Sequence, residues 1–389
     1  MKKKTMMRFT MAAIAAGLLL GAAAIPAKAA SGVRISKANF PDKEIRRIAK
    51  EYDSNKDGYL ASGEIKKITD VWIERPVSNY KGIEYFTELK EFSNERSDSW
   101  HKGAMMNKKK LDLSKNKKLK EVVLETNTIS SVDVSGCKQL KSLYCFCGPE
   151  RGALTRLDVT GCTSLKELVC QQSKLKVLDV STCTNLEKLD LYNNKLTSVK
   201  LGNIKKLKNL FLLANRPLKE LDVRRQTNLE SLVISGTDIA SIDLKKNKKL
   251  IDFSCGYTSA MKKIDVSKNT KLVNLDCNNT KELKKLDVSK NINLLHLDCG
   301  RTKISKLDLS KNKNLEELSC ENTRLKKLDL SKNVNLSVLK CRNNEITELD
   351  LRNTNLREDK KGPIYRQGKK KNGIIYPYLK CDPSVVVTR

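Results

Sequence analysis

The sequence predicts an α/β repeat solenoid: a helical N-terminal unit, a long stack of coils with a parallel β-sheet along one face, and a short β-rich C-terminal cap. Two observations predict it. A phrase of the form L-D-[LV]-S-x-N starts at Leu111, Val132, Leu157, Leu178, Val199, Leu221, Ile242, Ile264, Leu286, Leu307, Leu328 and Leu349, at intervals of 21 or 22 residues save one of 25. Each unit also carries L-x-x-L-x-L twice in approximate form. A lone unit of that length cannot bury its leucines, whereas stacked units share one continuous core. The second observation is composition: charged residues are 31% and aromatics only 5% of 389 residues. Such a balance alone would suit a disordered chain, so it is the leucine period that decides for a stack of thin coils.

The elements follow in chain order. Residues 1–29 open with Lys2, Lys3, Lys4 and Arg8 before an apolar run and end in Ala27-Lys28-Ala29. That is the pattern of a secretory signal peptide, and the run is too short to read as a spanning helix. No later stretch is apolar enough to span. Cleavage after Ala29 would remove five basic residues and no acids, lowering the net charge from +31 to +26. Release from the cell, or loose association with its wall, is the expected location.

Residues 31–79 are expected to form a helical cap. FPDKEIRRIAKEY has Pro41 and Asp42 at a helix start and Ile45, Ile48 and Tyr52 on one stripe. GEIKKITDVWIE reads as a second, exiting helix. Between them, DSNKDGYLASGE resembles an EF-hand calcium loop position by position. The resemblance implies Ca2+ ligands at Asp53, Asn55 and Asp57, the backbone carbonyl of Tyr59, a water at Ala61, and a bidentate Glu64, with Gly58 at the sharp turn. A turn rich in Asp and Asn that binds nothing is the alternative. The departure from the family is the missing second hand, which puts tight binding in doubt.

Residues 80–356 carry the coils. The unit LEKLDLYNNKLTSVKLGNIKKL, Leu186 to Leu207, resembles the leucine-rich repeats, in their nested 21-residue bacterial class. The resemblance covers about residues 83–356 and implies a right-handed solenoid with a parallel sheet on one face. At about 4.8 Å per strand, twelve coils make a rod roughly 55 Å long. Ile83 to Lys110 reads as an irregular first coil with a long loop. Residues 357–389 read as the C-terminal cap, with GKKKNG as a hairpin tip.

Twelve cysteines raise the question of chemistry. Aligned on the repeat, the sixth position of L-x-x-L-x-L runs Leu124, Cys145, Cys170, Leu191, Leu212, Ile234, Cys255, Cys277, Cys299, Cys320, Cys341. Cysteine alternates there with leucine in an inward column, as a small apolar residue. Cys137, Cys162 and Cys183 sit in a turn column otherwise held by Asn247, Asn269, Asn291, Asn312 and Asn333. Cys147 and Cys381 fit neither. Export and an even count favour disulfides. Parallel Cβ vectors on adjacent strands favour free thiols, and both readings stay open. With two histidines and no C-x-x-C, the cysteines carry no metal or Cys/His signature. The aspartates after each repeat leucine, Asp112 to Asp350, are interrupted only by Lys200 and flanked by lysines such as Lys263 and Lys285. A repeated solvated ladder lacks the asymmetry that paired catalytic carboxylates need, and nothing else supports an enzyme.

Function is sought on the outward columns of the sheet, positions five and seven. In the first coils these hold Tyr144, Phe146, Val169, Tyr192, Phe211, Leu213 and Val233; later coils hold Ser, Asp, Gly and Asn. An apolar patch of that size invites a partner, unless a cap or the GPERG insertion folds over it. The expected function is a secreted, monomeric binding module for a protein or glycan at a cell surface. The runner-up is an envelope-associated protein held by its charge to anionic wall polymers. Basic residues spread over every coil form no groove with interleaved aromatics, which argues against nucleic acid.

Overall fold

A computed structural model describes residues 32–94, 109–125, 128–146, 152–358 and 378–388. The signal segment, the first coil's loop beyond residue 94, His101, Cys147, the GPERG insertion and GKKKNG lie outside the described residues.

The described chain is a parallel β-solenoid of about twelve turns with few helices. One strand per coil joins a fourteen-stranded sheet that runs from Asp70–Trp72 to Tyr378–Lys380, every neighbouring pair parallel. The register follows the repeat: Leu189 faces Leu210, then Leu232, Phe253, Leu275 and Leu297 in successive coils. Those side chains and the sixth-position column beside them are buried, and the apolar residues of all coils form one core. Strands of three to five residues suffice because each coil contributes only two or three inward leucines to that core.

Two ladders of polar groups close the bends. Each repeat aspartate from Asp112 to Asp350 accepts, at Oδ1, the N–H two residues on, closing the turn that leaves the strand; all eleven do so. Side-chain bonds from Arg224 and Arg352, then the backbone turn, pull Asp222 and Asp350 down to about 2. Asp222 and Asp350 are therefore turn-formers held ionised. On the buried side, Asn291 Nδ2 donates to Val266 O (3.1 Å) and Asn269 O (2.8 Å) of the preceding coil, and Asn269, Asn312 and Asn333 repeat the pattern. The cysteines of this column do the same work: Cys162 Sγ donates to Val134 O and Cys137 Sγ to Leu113 O. A thiol thus replaces an amide donor, not merely a methyl group.

Ten of the eleven described cysteines are buried, and Cys137, Cys162, Cys170, Cys183, Cys255, Cys277, Cys299, Cys320 and Cys341 are free thiols. Cys145 and Cys170 are in register on adjacent strands. Burial raises the thiol pKa values of Cys183, Cys299 and Cys341 to about 12. Cys381, which the repeat alignment leaves outside both columns, belongs to the first: Tyr378–Lys380 pairs with Val338–Lys340, so Cys381 follows Cys341 as the next rung. The alignment misses it because the tail lacks the repeat phrase and joins the stack after a long insertion. Val386–Thr388 likewise pairs in parallel with Glu348–Asp350, making the cap a further turn of the solenoid.

At the other end, β1 (Gly32–Arg34) precedes α1 (Lys43–Tyr52), β2 (Tyr59–Ala61) and the one-turn α2 (Ser62–Ile65). Asp42 caps α1 through Glu44 N (2.8 Å), while its other oxygen accepts from Ser78 N (2.7 Å). Phe40 stacks on Phe86 at 6.1 Å, so this unit and the first coil share their core. The exiting helix expected over GEIKKITDVWIE stops at Ile65. Val71 and Ile73 are buried with Trp72 exposed between them, an alternation of strand period, and β3 (Asp70–Trp72) opens the long sheet. The sheet therefore begins inside the segment assigned to the helical cap.

Candidate functional site

The outward columns lie as strand alternation requires. Position five runs Tyr144, Val169, Asp190, Phe211, Val233, Ser254, Asp276, Asp298, Ser319, Lys340 in unbroken register. In the early coils Tyr144 and Phe146 stack face to face at 5.9 Å and 6°. The Tyr144 hydroxyl donates to Glu167 Oε2 (2.8 Å), and Lys188 Nζ donates to Glu167 Oε1 (2.6 Å), which fixes the ring in a polar frame. Phe146 is 42% and Leu213 38% exposed, and Tyr192, Phe211 and Val233 are half-buried. Val169 is not part of the accessible patch: it is only 5% exposed. It lies in register between the longer side chains Tyr144 and Asp190, and the latter accepts a hydrogen bond from Gln171 (2.7 Å).

In the later coils the same face carries a depression of about 320 Å³ between Val233 and Lys340. Its floor is the position-five carboxylates. Asp276 accepts from Ser254 Oγ (2.8 Å) and Asn278 N (3.0 Å), and Asp298 accepts from Gly300 N (3.0 Å). Burial, partly offset by the Gly300 N–H, raises the Asp298 pKa, and the neighbouring Asp276 charge adds to the rise. Position three supplies a second row, Asp252, Asn274, His296 and Glu317. Asn274 donates to Asp252 and bonds His296 Nδ1 at 2.7 Å, and Lys340 Nζ reaches Glu317 at 3.3 Å. The alignment on positions five and seven passed over this row, although the same alternation that exposes position five exposes position three.

The loop from Asp53 to Glu64 adopts part of the expected geometry. Gly58 turns at φ 82, Asp53 accepts from Asp57 N (3.2 Å) and Gly58 N (3.0 Å), and Asp57 accepts from Tyr59 N (2.8 Å). Asn55 donates to Asp57. Glu64 folds back to accept from Ser54 N (2.7 Å) and Ala61 N (3.0 Å), bonds that hold its carboxyl below the usual range, the Ala61 bond foremost. Among the described residues no three His, Cys, Asp or Glu side chains are gathered closely enough to hold a metal ion. The donor types and the turn suit a hard cation, while Glu64 would have to exchange its present partners for it. Where a second hand would pair with the loop, β1 pairs antiparallel with β2, Val33 facing Leu60.

No family model matches the chain, and no curated protein matches it. Among solved structures it is similar to the functional domain of InlJ from Listeria monocytogenes, described as including a cysteine ladder. Identity is 26% and the TM-score 0.55, over 82% of this chain and 78% of that one. It is also similar to the internalin inlF of Listeria monocytogenes (20% identity, TM-score 0.47, 84% and 95% covered) and to a leucine-rich repeat protein of Leptospira interrogans (17%, 0.43, 74% and 94%). The likeness to the InlJ domain agrees with the coil period, the parallel sheet and the stacked thiols: the chain has the leucine-rich repeat solenoid fold. Among the described residues no helix is long and apolar enough to cross a membrane.

Proposed function

We propose that this chain is a secreted, non-catalytic binding module that recognises a protein partner at a cell surface through the first half of its sheet face. One observation carries the reading. Tyr144, Phe146, Tyr192, Phe211, Leu213 and Val233 project from the face, while positions in the same register of later coils are Ser, Asp, Gly and Asn. Coil packing is the same in both halves, so it does not account for the asymmetry. Aromatic side chains in a polar frame are the usual anchors of an interface. The leader-like residues 1–29 support export.

The test is a pull-down from cell-surface extracts with Tyr192→Ser/Phe211→Ser. Each anchor typically contributes at least about 2 kcal/mol at a true hot spot, so the double variant should lose its partner while its circular dichroism is unchanged. Full retention by that variant refutes the reading. Capture that survives it but vanishes at high salt would instead favour anionic wall polymers, which the net charge of +26 left after leader removal also suits.

The loop at Asp53–Glu64 enters the same proposal as a structural calcium site. β1 lying where a partner loop would pair supports it. Extracellular sites of this kind bind at about 10⁻⁴ to 10⁻³ M, and tenfold excess over that constant adds about 1.4 kcal/mol of stability. Asp57→Asn keeps an acceptor for Tyr59 N–H but removes a charge. Calcium should raise the melting temperature of the wild type and not of that variant; an equal rise in both would count against the site.

A further inference from the structure

We propose that the depression over the later coils is a second binding site, one that takes the cationic head of a lysine or arginine side chain. The proposal deepens the reading of the sheet as a binding face and rests on it in that respect. The depression itself is probed independently of the aromatic half.

Three features of the recess point to that ligand. The first is a surplus of negative charge: Asp252, Asp276, Asp298 and Glu317 share the recess with one lysine, Lys340. Asp276 and Asp298 are in register on adjacent strands, about 4.8 Å apart along the sheet. Asp252 stands in the neighbouring row. Their hydrogen-bond donors are neutral: Ser254, Asn278, Gly300 and Asn274. Lys340 pairs with Glu317 at the far end, and its charge offsets part of that on Asp298. The repeat aspartates at the bends differ, being solvated and flanked by lysines. In the recess, adjacent carboxylates repel at short range in a partly desolvated setting, and a bound cation is what relieves them. The chain as a whole is strongly basic, so this recess is a local inversion of its charge.

The second feature is room. Position seven is glycine at 256 and 300, on either side of Asn278. A Cβ at Gly256 would stand 3.0 Å from Asn278 O and 3.2 Å from Asp276 Oδ1; one at Gly300 would stand 3.1 Å from Glu321 O and 3.3 Å from Asp298 Oδ1. Side chains there would crowd Asp276 Oδ1 and Asp298 Oδ1, the oxygens that accept from Asn278 N and Gly300 N.

The third lies next to the recess, outside its own lining. Ile251, Val273 and Leu295 precede Asp252, Asn274 and His296, and their N–H groups extend the ladder one residue beyond the strands. Ile251 is exposed and the other two are half-buried. An aliphatic strip beside a carboxylate floor suits a side chain with an apolar stem and a charged head. A bare metal ion would leave that strip unused, and the carboxylates are spread one to a coil.

The test uses backbone amides that report on the floor directly, because Asn278 N and Gly300 N donate to Asp276 and Asp298. Isotope-labelled protein is titrated with Nα-acetyl-lysine methylamide and, separately, with its norleucine counterpart. The lysine probe should shift the Asn278 and Gly300 amide resonances and leave Gly202, on a distant bend, unmoved; norleucine should shift none of them. Asp276→Asn/Asp298→Asn keeps an oxygen acceptor for each amide, so it should fold and should weaken the lysine response at least about tenfold. Tyr192→Ser/Phe211→Ser should respond like the wild type, which separates this site from the aromatic patch. No shift with lysine, an equal shift with norleucine, an undiminished response in the double Asn variant, or the same shifts from calcium chloride alone would each overturn the proposal.

Discussion

Asn291→Asp is expected to destabilise the solenoid by at least about 3 kcal/mol at neutral pH, and Asn291→Cys by clearly less. Asn291 is fully buried, and its amide supplies hydrogen to Val266 O and Asn269 O in the coil before it. A carboxylate has nothing to donate. Left ionised, it leaves both carbonyls unpaired, at about 1–3 kcal/mol each, facing a new buried charge; protonated, which is itself costly at neutral pH, it satisfies only one of them. Cysteine keeps one donor, and the chain already uses that solution three coils in succession, at Cys137, Cys162 and Cys183. Urea denaturation measures both. Equal losses for Asp and Cys would show that the column is held by shape rather than by donated hydrogen bonds.

The second large effect is alkaline. In the folded state the Cys299 thiol titrates at about 12 against an ordinary 9.0, because burial disfavours its thiolate. The unfolded chain loses this proton near 9 and the folded chain keeps it. The contribution is therefore fully present below about pH 9 and is lost as pH rises toward 12. By about pH 11 this one thiol should cost on the order of 3 kcal/mol. Cys183 and Cys341 add to it in the same sense. Cys299→Ala is the control: less stable than the wild type at pH 8 for want of packing, it should close much of that gap by pH 11. A gap that stays constant with pH would mean that the column thiols titrate as they do in the unfolded chain.

Much of this architecture was legible because the repeat makes every position a column. One alignment placed Leu191, Leu212 and Ile234 inside with Cys255 to Cys341 in a single file, and Tyr192 and Phe211 outside, and burial agrees with each. What it missed lies where the repeat phrase is absent or where a column is read by backbone rather than side chain. Cys381 comes after a tail with no repeat phrase. Asp70–Trp72 fell within the expected exiting helix, yet Val71 and Ile73 are buried on either side of exposed Trp72, a strand period. The bend after position seven takes a left-handed residue in successive coils, Gln172, Asn193, Ala214, Tyr257 and Arg301 among them, with φ from 53 to 62. So many residue types share that conformation that no letter signals it. Val169 was outward in the pattern, as it is in the fold, but its small side chain lies low between long neighbours. The polar depression was half legible: its position-five row was in view as a contrast to the aromatic coils, while Asp252, Asn274 and His296 were passed over for want of an apolar signal.

Hydrogen–deuterium exchange of the protein alone and with its captured partner tests most directly whether the early half of the sheet is the contact surface. The account predicts slower exchange over Ser142–Phe146, Lys188–Asp190, Asn209–Phe211 and the residues that follow each of them, with the aspartate turns at Ser181 and Ser289 unchanged. Protection confined to those turns, on the other side of the coils, would contradict it.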